Sequence, residues 1–127
     1  WKNPLAMGFQ ALAKQTPCEK NKIDYLPVVY PGFSWHNMTG DKLDAIPRRK
    51  GEFLWNQFVA TRAAGNDTAY VAMLDEVDEA TAIFKVSDNP SVGEGFKFLD
   101  NDGLPSDHYL KVTQKGGELL RGEVPGK

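Results

Sequence analysis

Residues 69–81 read AYVAMLDEVDEAT, and the fold turns on how that run is taken. Ala69 to Leu74 is apolar without a break, and Asp75, Glu76, Asp78 and Glu79 then crowd four carboxylates into five positions. A continuous apolar run of that length predicts a strand buried on both faces, as in a parallel sheet covered by helices. Upstream, Tyr25–Tyr30 (YLPVVY) reads as a second such strand, although Pro27 counts against a central position. Between the two, GEFLWNQFVATRAA (51–64) sets Phe53, Leu54, Phe58 and Val59 at helical spacing, with Gly65 as the stop. Strand, helix, strand in this order is the unit of an α/β fold with parallel strands.

Working outward, LAMGFQALAK (5–14) repeats the helical spacing at Leu5, Phe9, Leu12 and Ala13. A last helix is expected from Asp107 to Leu120, with Ser106 as N-cap and Gly116 and Gly117 as interruptions. Ile83–Val86 (IFKV) offers a third strand. Two or three parallel strands make a poor complete sheet with open edges. Residues 1–127 are therefore read as one partial domain, completed either by a missing N-terminal half or by oligomerisation. A dimer would bury the open edges.

Composition narrows the function classes. Lys plus Arg number 15 and Asp plus Glu 17, for a net charge of −2, which gives no electrostatic case for nucleic acid or an anionic membrane. Hydrophobic residues at 41% and charged residues at 25% fit a globular chain rather than a disordered one. No apolar run reaches the roughly 18–20 residues that span a bilayer. The first ten residues, WKNPLAMGFQ, lack the basic and apolar regions of a secretory signal. A single cysteine, Cys18, excludes an internal disulfide framework and a multi-cysteine zinc site, and it has no nearby His to make it a nucleophile.

The carboxylate cluster is the sharpest chemical feature. Ligands of α/β folds bind at the carboxyl ends of strands. Crowded carboxylates separate a proton-holding acid from an ionised partner, the division of labour that glycoside hydrolysis requires. The same run also reads as a solvated acidic strand end, as the dipole-favoured start of a helix, or, without the spacing of a calcium loop, as a cation ligand set. A second feature, YPGFSWHN (30–37), follows the other apolar run. Its aromatic rings mixed with amide, hydroxyl and imidazole groups suit the apolar face and hydroxyl rim of a sugar, or pack Phe33 and Trp35 as core. PRRK (47–50) could contact a polar ligand but reads rather as a solvated basic turn, DNDG (100–103) resembles part of a calcium loop with an incomplete ligand series and reads rather as a turn, and His108 is given no role.

YLPVVYPGFSWHN followed, after a helix, by AYVAMLDEVDEATAIFK resembles glycoside hydrolase family 99 and its relatives grouped with family 71. PRRKGEFLWNQ resembles the stretch before the penultimate helix of those barrels, and SDHYLKVTQ their final helix. The likeness covers most of residues 25–112 and is most specific at Glu76–Glu79. It implies the C-terminal portion of a (β/α)8 barrel, a fold that takes about 250 residues, and a carbohydrate partner, an α-mannoside cleaved with retention. It implies no cofactor and no metal. Glu79 would be the general acid/base. Glu76 would assist attack by the substrate's own 2-hydroxyl to form a 1,2-anhydro sugar. Tyr30, Trp35, His36 and Asn37 would line the sugar cleft. Relatives of this kind meet glycans in the secretory pathway or outside the cytoplasm, which implies an exported parent. Positions three apart on a strand face opposite ways, so the chain must leave extended geometry at or just after Glu76 for both carboxylates to serve one site. Ala80 stands where the family is expected to carry Gly, a departure that matters if the position requires positive φ.

Overall fold

The computed structural model describes residues 17–126. The helix expected at 5–14 lies outside the described residues. In chain order the elements are β1 (Val28–Val29), α1 (His36–Thr39), a 3-10 turn (Arg49–Gly51), α2 (Glu52–Ala63), β2 (Tyr70–Val71) and α3 (His108–Leu120). β1 and β2 pair in parallel, Val28 opposite Tyr70 and Val29 opposite Val71. Tyr70 N–H donates to the Pro27 carbonyl at 2.8 Å and Ala72 N–H to that of Val29 at 2.9 Å. The parallel α/β arrangement is the one expected from the strand–helix–strand pattern.

The strands are shorter and barer than their sequences suggest. β1 is two residues because the chain leaves the ladder at Tyr30. There Gln57, on α2, takes over both main-chain groups. Its Oε1 accepts from Tyr30 N–H at 3.2 Å and its Nε2 donates to Tyr30 O at 2.7 Å. Gln57 is 2% exposed, so these bonds replace water for a buried amide and for the backbone alike. Burial on both faces is not found. Val29 is 1% exposed, while Leu26, Val28, Tyr70 and Leu74 stand open at 49–58%. One face lies on the helices, and among the described residues no helix or strand packs over Val28 and Tyr70 on the other. The stretch 83–86 is not a third strand, because its start is drawn back onto Leu74, whose carbonyl accepts from both Ile83 and Phe84 at 3.0 Å.

The core lies between the sheet and the α2–α3 pair, around Val29, Leu54, Phe58, Tyr109 and Leu120. Gly116 and Gly117 do not interrupt α3. Gly116 is what lets α3 approach α2, since a Cβ there would lie 2.4–2.5 Å from the Phe58 ring. Ser106 is not the N-cap. That position is Asp107, which makes no side-chain capping bond and instead pairs with Lys111 at 3.0 Å, one turn on. The start of α2 departs from expectation too. Arg49, Lys50 and Gly51 all have positive φ, of 50°, 54° and 90°. His108 Nε2 donates to Lys50 O at 2.8 Å, and a Cβ on Gly51 would meet that same nitrogen at 2.8 Å. Glycine is required there on two counts, conformation and close approach. At the far end, Arg62 Nη1 donates to Leu120 O at 3.0 Å and so caps the last turn of α3.

Candidate functional site

The acidic run is built as a closed loop standing off the end of β2. Met73 N–H donates to Thr81 O at 3.1 Å, while Leu74 O holds Ile83 and Phe84, so the two ends of the loop are pinned together. Inside it, the Glu76 carbonyl accepts from Thr81 N–H at 3.1 Å, Ala82 N–H at 2.9 Å and the Thr81 hydroxyl at 3.3 Å. Residues 77–80 form a turn closed by Ala80 N–H to Val77 O at 3.1 Å. Ala80 itself has φ of 57°. The chain has thus left extended geometry by Glu76, and the two glutamates bracket a turn instead of pointing to opposite faces of a strand.

The second segment is tied to this turn at three places. Ser34 N–H donates to Glu79 O at 2.8 Å. Trp35 Nε1 donates to Glu79 Oε1 at 3.4 Å, a long bond. Asn37 Nδ2 donates to Asp78 Oδ1 at 2.8 Å. Trp35 remains 43% exposed, with its ring tilted against Phe33 at 5.5 Å. Glu76, Asp78 and Glu79 are half-buried and Asp75 is exposed. One open surface therefore carries an indole and a carboxylate in contact, with the neighbouring Asp78 held by Asn37.

The other sequence-selected residues divide. His36 Nδ1 lies 2.7 Å from Asp41 O. A carbonyl only accepts, so Nδ1 carries the proton and the neutral ring keeps its lone pair on Nε2. Asn37 is engaged at both ends, since its Oδ1 also accepts from Lys97 N–H at 2.9 Å. It works as a bracket between the acidic turn and the following loop. Tyr30 is not brought to the carboxylates by any described hydrogen bond. Its main chain belongs to Gln57 and its ring packs edge-on to Phe53 at 5.4 Å, and burial raises its phenol pKa. Among the described residues no three or more His, Cys, Asp or Glu side chains are placed to hold a metal ion.

Three further residues shape this region: Asp78, Gln57 and Arg48. Asp78 was counted in the acidic run, but nothing local marks it as the partner of Asn37. Gln57 sits among the apolar positions of α2, and a polar residue within an apolar stripe was the available signal. Arg48 corrects the reading of 47–50 as a solvated turn. It is 7% exposed, whereas Arg49 and Lys50 are exposed. Arg48 also lines a cavity of about 650 Å³ that reaches Val77 and Ala80, on the acidic turn, but none of Glu76, Glu79, Trp35, His36 or Asn37.

Among solved structures, the chain is similar to the family 99 endo-α-mannosidase of Bacteroides thetaiotaomicron. Against the enzyme in complex with bis-tris propane the TM-score is 0.79 at 19% identity, covering 91% of this chain and 35% of that one. Against a second structure of the enzyme it is 0.80 at 18% identity, covering 93% and 34%. This shows the fold to be like part of a family 99 barrel, and the chain spans about a third of the length of those enzymes. No family model and no curated protein sequence matches it.

Proposed function

We propose that the chain is the C-terminal portion of a retaining endo-α-mannosidase-like glycoside hydrolase. The observation that supports this is the turn itself: Glu76 and Glu79 stand on a loop off the strand end, with Ala80 in the left-handed region, and Trp35 meets the Glu79 carboxylate on a fold like part of a family 99 barrel. Glu79 protonates the leaving glycosidic oxygen. Glu76 takes the proton of the sugar's 2-hydroxyl as that oxygen attacks the anomeric carbon, giving a 1,2-anhydro sugar. Water then opens the ring, losing its proton to Glu79 while O2 regains one from Glu76. Two inversions at the anomeric carbon give net retention. Trp35 offers an aromatic face to the sugar, and His36 Nε2 an acceptor to a hydroxyl.

The test is hydrolysis of an α-mannose oligosaccharide by the 127-residue chain, with the first-formed anomer read by NMR. Glu79→Gln and Glu76→Gln are each expected to lower turnover by about 10²–10⁴-fold at unchanged melting temperature. Turnover that persists in both variants would overturn the assignment.

A non-catalytic carbohydrate-binding or self-associating module is the second reading. It is favoured by the open indole of Trp35 and by the third of a barrel that the chain spans. Under it, oligosaccharide affinity survives both glutamine changes and is lost in Trp35→Ala. The catalytic reading instead requires turnover by the unaltered chain.

A further inference from the structure

The cavity beside the acidic turn has mainly apolar walls, with Lys85, Ser87 and Ser91 among its lining. Phe84, Val86, Val92, Phe96 and Phe98 line it, and Arg48 supplies its buried charge. Its volume of about 650 Å³ lies in the usual range for small-ligand sites, roughly 300–1,000 Å³. Phe84, Val92 and Phe96 are 37–53% exposed, so a cluster of large apolar side chains faces open space there.

Arg48 is held in place by the fold. Gly32 leaves room for its stem, since a Cβ there would lie 2.5 Å from Arg48 Cγ. The guanidinium carbon stands 3.7 Å above the Tyr109 ring centroid. Nη2 donates to Ala82 O at 2.8 Å, and buried Nε has no hydrogen-bond partner. No described carboxylate forms an ion pair with Arg48, although Asp102 is near enough to favour its charge. A buried guanidinium that lines a cavity and has no carboxylate partner among the described residues is a charge left uncompensated, which a monoanion in the cavity offsets. A monoanion also loses less hydration on entry than a phosphate dianion.

We propose that this cavity binds a small amphipathic carboxylate, an aryl- or alkyl-chain acid with its carboxylate on Arg48 and its apolar tail among the phenylalanines. The ligand touches Val77 and Ala80, and so contacts the acidic turn from behind while leaving the Trp35–Glu79 face open. This site is separate from the sugar site and does not depend on it.

Calorimetric titration of the chain with 4-phenylbutyrate and with 4-phenylbutan-1-ol tests the proposal. The acid is expected to bind saturably at one site, at least tenfold more tightly than the alcohol. Arg48→Met removes that difference. Because Arg48 also supports the fold, Phe96→Asp provides a second arm. Phe96 is 53% exposed, and an aspartate there weakens the acid at least tenfold while changing the alcohol less. Glu79→Gln leaves acid binding unchanged, which separates this cavity from the sugar site. Equal affinity for acid and alcohol, no saturable binding of the acid, or acid binding indifferent to Phe96→Asp overturns the proposal.

Discussion

Ala80 shows how much one backbone angle decides. It is 5% exposed and held at φ of 57°, which costs an alanine about 1–2 kcal/mol. Its buried methyl returns about 0.8 kcal/mol, and glycine's extra freedom when unfolded is worth about 0.5–1 kcal/mol. These contributions oppose each other, so Ala80→Gly is expected to shift stability by less than about 1 kcal/mol. Ala82, equally buried and without positive φ, has no strain to release. There the two losses add, and Ala82→Gly is expected to cost about 1–2 kcal/mol. Urea denaturation of the two variants gives the comparison, and equal losses would contradict it. The acidic turn was legible in the sequence because a strand cannot present two glutamates three apart to one site. The bracket from Asn37 to Asp78 was not, since no local pattern says which of four carboxylates an amide 41 residues away will choose.

At the scale of elements, α2 and α3 meet at Gly116, and the adjacent Gly117 has the opposite role. Alanine in a helix is favoured over glycine by about 1 kcal/mol. At Gly117 the new methyl meets only the flexible end of Arg121, at 3.1 Å, so Gly117→Ala is expected to stabilise by about 0.5–1 kcal/mol. At Gly116 it drives into the ring of Phe58, which is 2% exposed and cannot yield. Overpacking of this kind costs about 1–3 kcal/mol and outweighs the propensity gain, so Gly116→Ala destabilises. Thermal melts of the pair check the signs. Helices α2 and α3 could be read ahead because their apolar spacing is local. The strands could not be bounded, because their ends are set by partners elsewhere: Gln57 ends one, and Leu74 folds the proposed third back onto the loop.

At the scale of the molecule, the decisive fact is a sheet with one face left open by the described residues. Leu26, Val28, Tyr70 and Leu74 are each about half exposed along it. Each chain contributes two described strands, so a dimer supplies four and does not close an eight-stranded barrel. What pairing does achieve is to cover apolar surface. Light scattering over a dilution series is expected to show self-association, and Val28→Lys with Leu74→Lys to return the chain to monomer. A monomer at every concentration would mean that the open face is tolerated in water. The likeness of the fold to part of a larger barrel was legible from motif order. Which face would be left bare was not, because an unbroken apolar run looks the same whether one side or both are covered.

The contact between Trp35 and Glu79 also gives the protein its own optical reporter. Indole emission responds to the charge and polarity beside it, and this ring is partly in water with its N–H on a carboxylate oxygen. Whatever draws that carboxylate away, or lays an uncharged surface over the ring, changes the colour and yield of the light. Occupancy of the surface can then be followed without labels, in real time, as a change in the emission of the indole whose N–H rests on the candidate acid.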